Sequence, residues 1–273
     1  VRAILLFDLD GVIRDVSASY RRAIRATVQH FSGWSPEPAA IDDLKSEGCW
    51  NNDWDASLEL LRRHRQGSQH ASGWELPNLE QVAEVFSGFY FGGDPCGPPA
   101  FWKGFIREEP LLVGPDFFTD LSQAAIAWGF VSGAEPPSAR FLLQERLGLR
   151  NPPLVAMGDA PDKPDPTGVL RLAERLAAHW GLALGPQAPP VAYVGDTVAD
   201  VETVQRARQA CPKQRFFALA VAPPHLHPPE LVTQRKAYEQ RLMDAGADHL
   251  LGTTAELQIQ PLELITSLLA KAP

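Results

Sequence analysis

Cysteine is scarce: 3 residues in a chain of 273, at positions 49, 96 and 211, with no Cys-x-x-Cys pair. That spacing argues against a disulfide framework or a zinc site and predicts reduced thiols. There is no block of Lys or Arg, and the formal net charge is -8, so the basic stripe needed to neutralise nucleic-acid phosphates is missing. No apolar stretch approaches the roughly 20 residues that cross a bilayer. The first apolar run, "AILLF", is followed at once by acids, unlike a secretory leader. There is no Asn-x-Ser/Thr acceptor either. These absences predict a soluble cytoplasmic protein with no nucleic-acid or membrane partner; they do not distinguish a monomer from a dimer. The length suits one large domain, or a core domain with a smaller insert.

What is present divides into two patterns. Residues 3 to 7 form a continuous apolar run of strand length, as in a parallel sheet covered on both faces. From 17 to 31, Tyr20, Ala23, Ile24, Thr27, Val28 and Phe31 recur at three- and four-residue steps, the period of an amphipathic helix. Further helical patterns cover about 55 to 65 and 78 to 90, and no strand pattern separates them. Residues 15–108 therefore read as a helical insert. "GGDPCGPP" and "EEPLLVGPD" supply turn chemistry toward its end. Strands then alternate with helices: "AIAWGFVSG", a helix over 136–148, "LVAMGD", a helix over 166–180, "VAYVGD", a helix near 199–210, "FFALAVA", a helix over 229–245, "DHLLG" and a helical end. That alternation predicts an α/β fold with a Rossmann-like parallel sheet, built from residues 1–14 and 109–273.

Ligands of such sheets bind outside the carboxyl ends of the strands. Asp8 and Asp10 stand at the end of the first strand, Ser132 at the second and Asp196 after "VAYVG", with Asp200 one helical turn further on. Lys163, in "DKPDP", lies in a Pro-constrained loop before a helix. Clustered carboxylates without His or Cys form a hard oxygen site that favours Mg²⁺ over zinc. A carboxylate can attack phosphorus, and a second one two residues on can protonate the leaving oxygen and later deprotonate water. A lysine and a hydroxyl supply charge and hydrogen bonds to the phosphoryl oxygens.

"DLDGV", "VSG", "DKPDP" and "VGDTVAD" resemble, in order and spacing, the four motifs of the haloacid dehalogenase superfamily. The insert resembles the helical cap of its capped subfamily I, and "DAGADHLLGTTAEL" resembles the end of phosphoglycolate-phosphatase-like members. The resemblance implies Asp8 as nucleophile and metal ligand, and Asp10 as general acid/base that ligates the metal through its backbone carbonyl. It implies phosphoryl binding by Ser132 and Gly133, with Lys163 holding Asp8 and the phosphate. Asp196 would ligate Mg²⁺ and Asp200 support it. Members that cleave carbon–halogen or carbon–phosphorus bonds lack an acid at the position of Asp10. Its presence points to hydrolysis of a small phosphorylated metabolite, a sugar or organic-acid phosphate. The alternatives are a phosphomutase, or a non-catalytic binding protein of the same fold. The segment "RARQACPKQ" departs from the small-residue-plus-glycine ending usual after the fourth motif.

Competing readings attach to several residues. A calcium loop fails, because its glycine belongs five positions after the first acid and Gly11 comes three after Asp8. Asp159, in "MGDAPD", rivals Asp196 but lacks an acid four residues on, and is expected in a loop beside Lys163. Ser132 could equally cap a turn. His225 and His227 lack a third ligand nearby and are expected in an exposed loop. Within the insert, "LKSEGCWNNDW" offers Lys45, Asn51, Asn52 and Trp54 to the substrate, or else a helix start capped by Asn or Asp. The insert is expected to act as a lid that reads the ester beyond its phosphate. Arg14 could touch a substrate anion or sit at the hinge.

Overall fold

Every residue of β1, Ala3–Phe7, is buried, because successive side chains enter opposite faces of a sheet that is covered on both sides. In the computed structural model, which describes residues 1–47, 50, 52–67, 74–259 and 261–271, the chain forms two compact units: Val1–Asp15 with Pro110–Pro273, and Val16–Glu109.

In the first unit β1 is joined by β2 (Ile126–Val131), β3 (Leu154–Val155), β4 (Val191–Gly195), β5 (Phe216–Val221) and β6 (His249–Leu251). All neighbours are parallel, in the order β3-β2-β1-β4-β5-β6. Ala3, Leu5 and Phe7 of β1 pack with Phe117, Phe118, Leu142, Leu143, Ile265 and Leu268. Ile4 and Leu6 pack on the opposite face with Val169, Leu172, Val201, Val204 and Leu242. Phe7 sets its ring edge-on to Phe117 and Phe118, with centroids 5.7 and 6.0 Å away. Each such buried ring contributes about 2–3 kcal/mol of transfer free energy.

The helices covering the sheet are α5 (Pro115–Gln123), α6 (Pro136–Arg140), α7 (Thr167–His179), α8 (Val198–Ala210), α9 (Val232–Asp244), α10 (Glu256–Ile259) and α11 (Pro261–Lys271). Three of them differ from the sequence reading. α5 begins at the end of a stretch read as turn chemistry and runs on through residues given no element, although Pro115 at its first position is a helix-start residue. α6 runs into a wider π turn over Phe141–Arg146. α9 begins at Val232, after a separate turn over Pro229–Leu231. "LVAMGD" yields only two strand residues, because the Ala156 amide turns to donate to Asp159 Oδ2 at 2.9 Å.

Among the described residues the second unit carries four α-helices: α1 (Ser19–Ser32), α2 (Pro38–Ser46), α3 (Asp53–Gly67) and α4 (Leu79–Phe91). α2 has no counterpart in the sequence reading. α4 begins with a reciprocal capping box between Asn78 and Gln81. The carboxylate of Glu109 is buried here and accepts hydrogen bonds from Ser19 Oγ (2.6 Å) and Tyr90 OH (3.1 Å). The amide of Asp15 donates to the carbonyl of Pro110 at 2.9 Å. Asp15 thus falls with the sheet and Glu109 with the helices, one residue later than boundaries at 14 and 108. Among the described residues no helix is long and apolar enough to cross a membrane.

Candidate active site

The strand order reverses at β1, whose neighbours β2 and β4 lead to opposite edges of the sheet. The carboxyl ends of those three strands therefore face one crevice. Asp8 follows β1, Ser132 follows β2 and Asp196 follows β4. Carboxylate oxygens of Asp8, Asp196 and Asp200 all lie within 4.8 Å of one another.

Lys163 ties the cluster together. Its Nζ stands 2.8 Å from Asp8 Oδ2 and 2.6 Å from Asp200 Oδ1. Asp8 Oδ1 accepts from the Leu9 amide at 2.8 Å, so both oxygens of this carboxylate are anchored. Asp200 is more completely bound: Oδ2 accepts from the Thr197 amide (3.0 Å) and hydroxyl (2.6 Å). The amide contact and the reciprocal bond from the Asp200 amide to Thr197 Oγ1, at 3.4 Å, form a capping box at the start of α8, which explains locally why "GDTVAD" aims Asp200 inward. The Tyr193 hydroxyl lies 2.8 Å from the Val131 carbonyl and 3.1 Å from Asp200 Oδ1. The Tyr238 hydroxyl donates to the carbonyl of Asp196 at 2.9 Å.

Two glycines make this crowding possible. Gly11 has φ +73°, and a Cβ there would lie 2.0 Å from Asp196 Oδ2. A Cβ on Gly195 would lie 2.2 Å from the Cβ of Asp200. Only glycine allows the backbone to approach so closely.

The charges do not balance, since the cluster sets three carboxylates against one lysine. Burial pushes the Asp8 carboxyl up to about 6; Lys163 opposes this, while Asp200 and Asp10 add to it. Burial also raises Asp196 well above the usual range, reinforced by Asp200 and Asp8. For Asp200 burial is overridden by the charge and hydrogen bond of Lys163 and by Thr197, and its carboxyl is lowered. Burial works against the Lys163 ammonium, but Asp200 and Asp8 outweigh it and raise its pKa. A crowded set of hard oxygen donors with excess negative charge fits a divalent cation such as Mg²⁺.

The remaining sequence candidates fall in different places. Ser132 is buried, and its Oγ accepts from the Ala134 amide at 3.2 Å, a turn contact; Gly133 beside it is exposed. A small cavity of about 30 Å³ is lined by Ser132, Gly133 and Lys163 among others. Asp10 is half-buried and pairs with Arg14, Nε to Oδ1 at 2.6 Å. Asp159 bonds the Ala156 amide, whereas Lys163 pairs with Asp8 and Asp200. His225 and His227 are half-buried rather than exposed, and His227 Nε2 donates to the Ala222 carbonyl at 2.8 Å. In the helical unit Lys45 pairs with Asp53 at 2.5 Å. Asn52 Oδ1 accepts from the amides of Trp54 (2.8 Å) and Asp55 (3.2 Å), a helix cap. Trp54 is half-buried, and Asn51 and Cys49 lie outside the described residues.

Tyr193, Thr197 and Tyr238 were missed in the sequence. Thr197 carried a usable signal, the Thr-x-x-Asp of a capping box. Tyr193 reads only as an aromatic in a buried strand.

Residues 3–208 match the haloacid dehalogenase-like hydrolases, and the chain belongs to that family. It is 33% identical over 206 residues to an imidazoleglycerol-phosphate dehydratase of Phytophthora nicotianae, a match covering 74% of this chain and 41% of that protein. The chain thus spans about two fifths of the length of this relative. The phosphatase Tt82 from Thermococcus thioreducens shares the fold with TM-score 0.57 and 20% identity, over 88% of this chain and 99% of that one. A phosphonoacetaldehyde hydrolase-like protein from Oleispira antarctica does so with TM-score 0.60 and 18% identity, over 98% and 93%.

Proposed function

We propose that this hydrolase is a Mg²⁺-dependent phosphatase that cleaves a small phosphomonoester through an aspartyl-phosphate on Asp8. The observation that carries the reading is Lys163, held between Asp8 and Asp200 at 2.8 and 2.6 Å at the carboxyl edge of the sheet. Asp8 is the nucleophile: one of its oxygens bonds to phosphorus as the ester P–O bond breaks, while Asp10 gives a proton to the leaving oxygen. Asp10 then takes a proton from the water that attacks phosphorus, which frees Asp8 and releases inorganic phosphate. Ser132, the Gly133 amide and Lys163 hold the phosphoryl oxygens. Asp8, Asp196 and the Asp10 carbonyl would hold the Mg²⁺, with Asp200 supporting them. When bound, the ion offsets negative charge on the transferring group.

Recognition of the rest of the ester is assigned to the helical unit, with Lys45, Asn52 and Trp54 as its candidates. The relative named for imidazoleglycerol phosphate is a longer chain than this one. A phosphatase unit in such a chain has reason to act on an imidazole-bearing phosphomonoester, and these belong beside sugar and organic-acid phosphates in a substrate panel.

Phosphate release across that panel, with Mg²⁺ and with chelator, tests the reading. Release that needs the cation and is lost in Asp8→Asn supports it. Isomerised sugar phosphate without release would replace it with a phosphomutase, and turnover retained by Asp8→Asn would remove the nucleophile.

A further inference from the structure

The sheet stops early at one edge. β3 is only two residues long, Leu154–Val155, and pairs with β2 alone. Ala139, Leu142 and Leu143, on α6 and its π turn, pack onto one face of the sheet, and Leu172, Ala173 and Ala177 of α7 pack onto the other. Beside the short edge lies a cleft of about 480 Å³, a size in the range of small-molecule pockets. It shares no residue with the acid cluster around Lys163. Arg140 ends α6 and Arg175 stands on α7, so two arginines line the cleft from opposite faces of the sheet. Among the described residues neither makes an ion pair or a hydrogen bond, in a chain whose net charge is -8. Gln144 and Asn151 add side-chain amides to the lining. Its one acid, Asp159, is already engaged: Oδ2 takes the Ala156 amide, and the backbone carbonyl takes Arg171 Nη1 at 2.7 Å.

We propose that this cleft is a second ligand site, apart from the Asp8 crevice, which takes a small hydroxylated organic phosphate between Arg140 and Arg175. The inference goes beyond the phosphatase reading and does not rest on it. A guanidinium presents a rigid fork of donors and accepts nothing. One fork occupies both oxygens of a carboxylate, whereas a phosphate monoester has three peripheral oxygens and two charges to share between two forks. Two arginines arriving from opposite sides therefore match a phosphate better than a carboxylate. The amides of Gln144 and Asn151 both donate and accept, which suits hydroxyl groups on the body of the ligand. With two arginines against one engaged acid, the cleft holds an anion through side chains alone. The Asp8 crevice has the opposite balance, with acids in excess.

Calorimetric titration of the whole chain tests the site in metal-free, low-salt buffer, so the outcome does not depend on whether Asp8 catalyses. The probes are glucose 6-phosphate and gluconate, which share a hydroxylated body and differ in the anion. Glucose 6-phosphate should bind at least about tenfold more tightly than gluconate. Arg140→Gln and Arg175→Gln should each weaken it by about tenfold. Gln144→Glu, which sets a second carboxylate in the cleft, should weaken it by at least as much. All three side chains are exposed, so the melting temperature without ligand should move by no more than about 2 °C in each variant. Binding of glucose 6-phosphate that survives all three substitutions belongs to the Asp8 crevice and overturns the inference. Gluconate binding as tightly as glucose 6-phosphate overturns the choice of phosphate. A wild type that binds neither probe, with self-association of the doubly substituted chain on a sizing column, would make the arginines guards of an open sheet edge and overturn the site altogether.

Discussion

Two lysines, each paired with aspartate, sit in very different surroundings. Lys163 is 16% exposed and meets Asp8 and Asp200 inside a cluster where negative charge exceeds positive. Lys45 is 29% exposed and meets Asp53, itself 19% exposed, at the start of α3. Beside it Glu47 takes two hydrogen bonds from Arg63 and one from the Trp50 indole, which bring its carboxyl down to about 2. Around Lys45, Asp53 has the lysine and Glu47 has Arg63, and water screens these charges, so the ion pairs cost little and contribute little. Around Lys163 the acids outnumber the base, and two of them, Asp8 and Asp196, are raised by burial. The lesson is that the residue types are the same, and an unbalanced, desolvated arrangement is what marks a site for chemistry.

The sharpest way to break this contrast is to remove its central charge. Asp8→Asn should lower phosphate release by at least about a thousandfold. The same change relieves repulsion among buried carboxylates, so the cation-free melting temperature should not fall. An unfolded variant would show that Asp8 holds the fold instead of the chemistry.

Next in size is a matched pair of lysine substitutions. Lys163→Met leaves buried acids uncompensated and should cost about 3 kcal/mol. Lys45→Met should cost about 1 kcal/mol or less. Denaturant melts of the two variants, run side by side without Mg²⁺, would erase the contrast if the losses were equal.

The smallest effect is a dependence on pH. With its folded carboxyl at about 6, Asp8 contributes stability that is fully present below about pH 4 and lost as pH rises through 6. A cation bound to the ionised cluster offsets that loss. The rise in melting temperature on adding Mg²⁺ should therefore be larger at about pH 7.5 than at about pH 5. A rise independent of pH would mean that Asp8 takes no part in holding the ion.

Much of the sheet was legible because its strands are covered on both faces and read as plain apolar runs. The acids were legible for the same reason, since Asp8 and Asp196 each end such a run. α5 was not, because Phe117, Phe118 and Leu121 give too short a pattern to stand out between a Gly-Pro turn and a strand. For Lys163 the residues alone indicated a constrained loop and the resemblance implied a partner in Asp8; its pairing with Asp200 spans a separation that local spacing does not encode. Tyr193 was hidden because burial of its ring and bonding of its hydroxyl look identical in sequence. Arg14 read as a contact to a substrate anion or as a hinge residue; its burial and its bond to Ser138 could not be read, because Ser138 lies far along the chain, beyond β2. In the helical unit, Lys45 and Asn52 read equally as ligand contacts or as a helix start. The structure gives Asn52 Oδ1 a cap's hydrogen bonds from the amides of Trp54 and Asp55.

The hydrogen bond from the Asp15 amide to the Pro110 carbonyl has a consequence for how such a chain can change over time. The polypeptide leaves the sheet unit and re-enters it at neighbouring points, next to a bridge between Arg14 and Leu111. From the standpoint of the sheet, all of Val16–Glu109 is one long excursion between two fixed posts. Lengthening, shortening or exchanging that excursion changes the entropy of closing a loop only slowly. The posts stay where they are, and the strand ends keep their order. A cassette of this kind can be rewritten while the acids and the lysine stay in place.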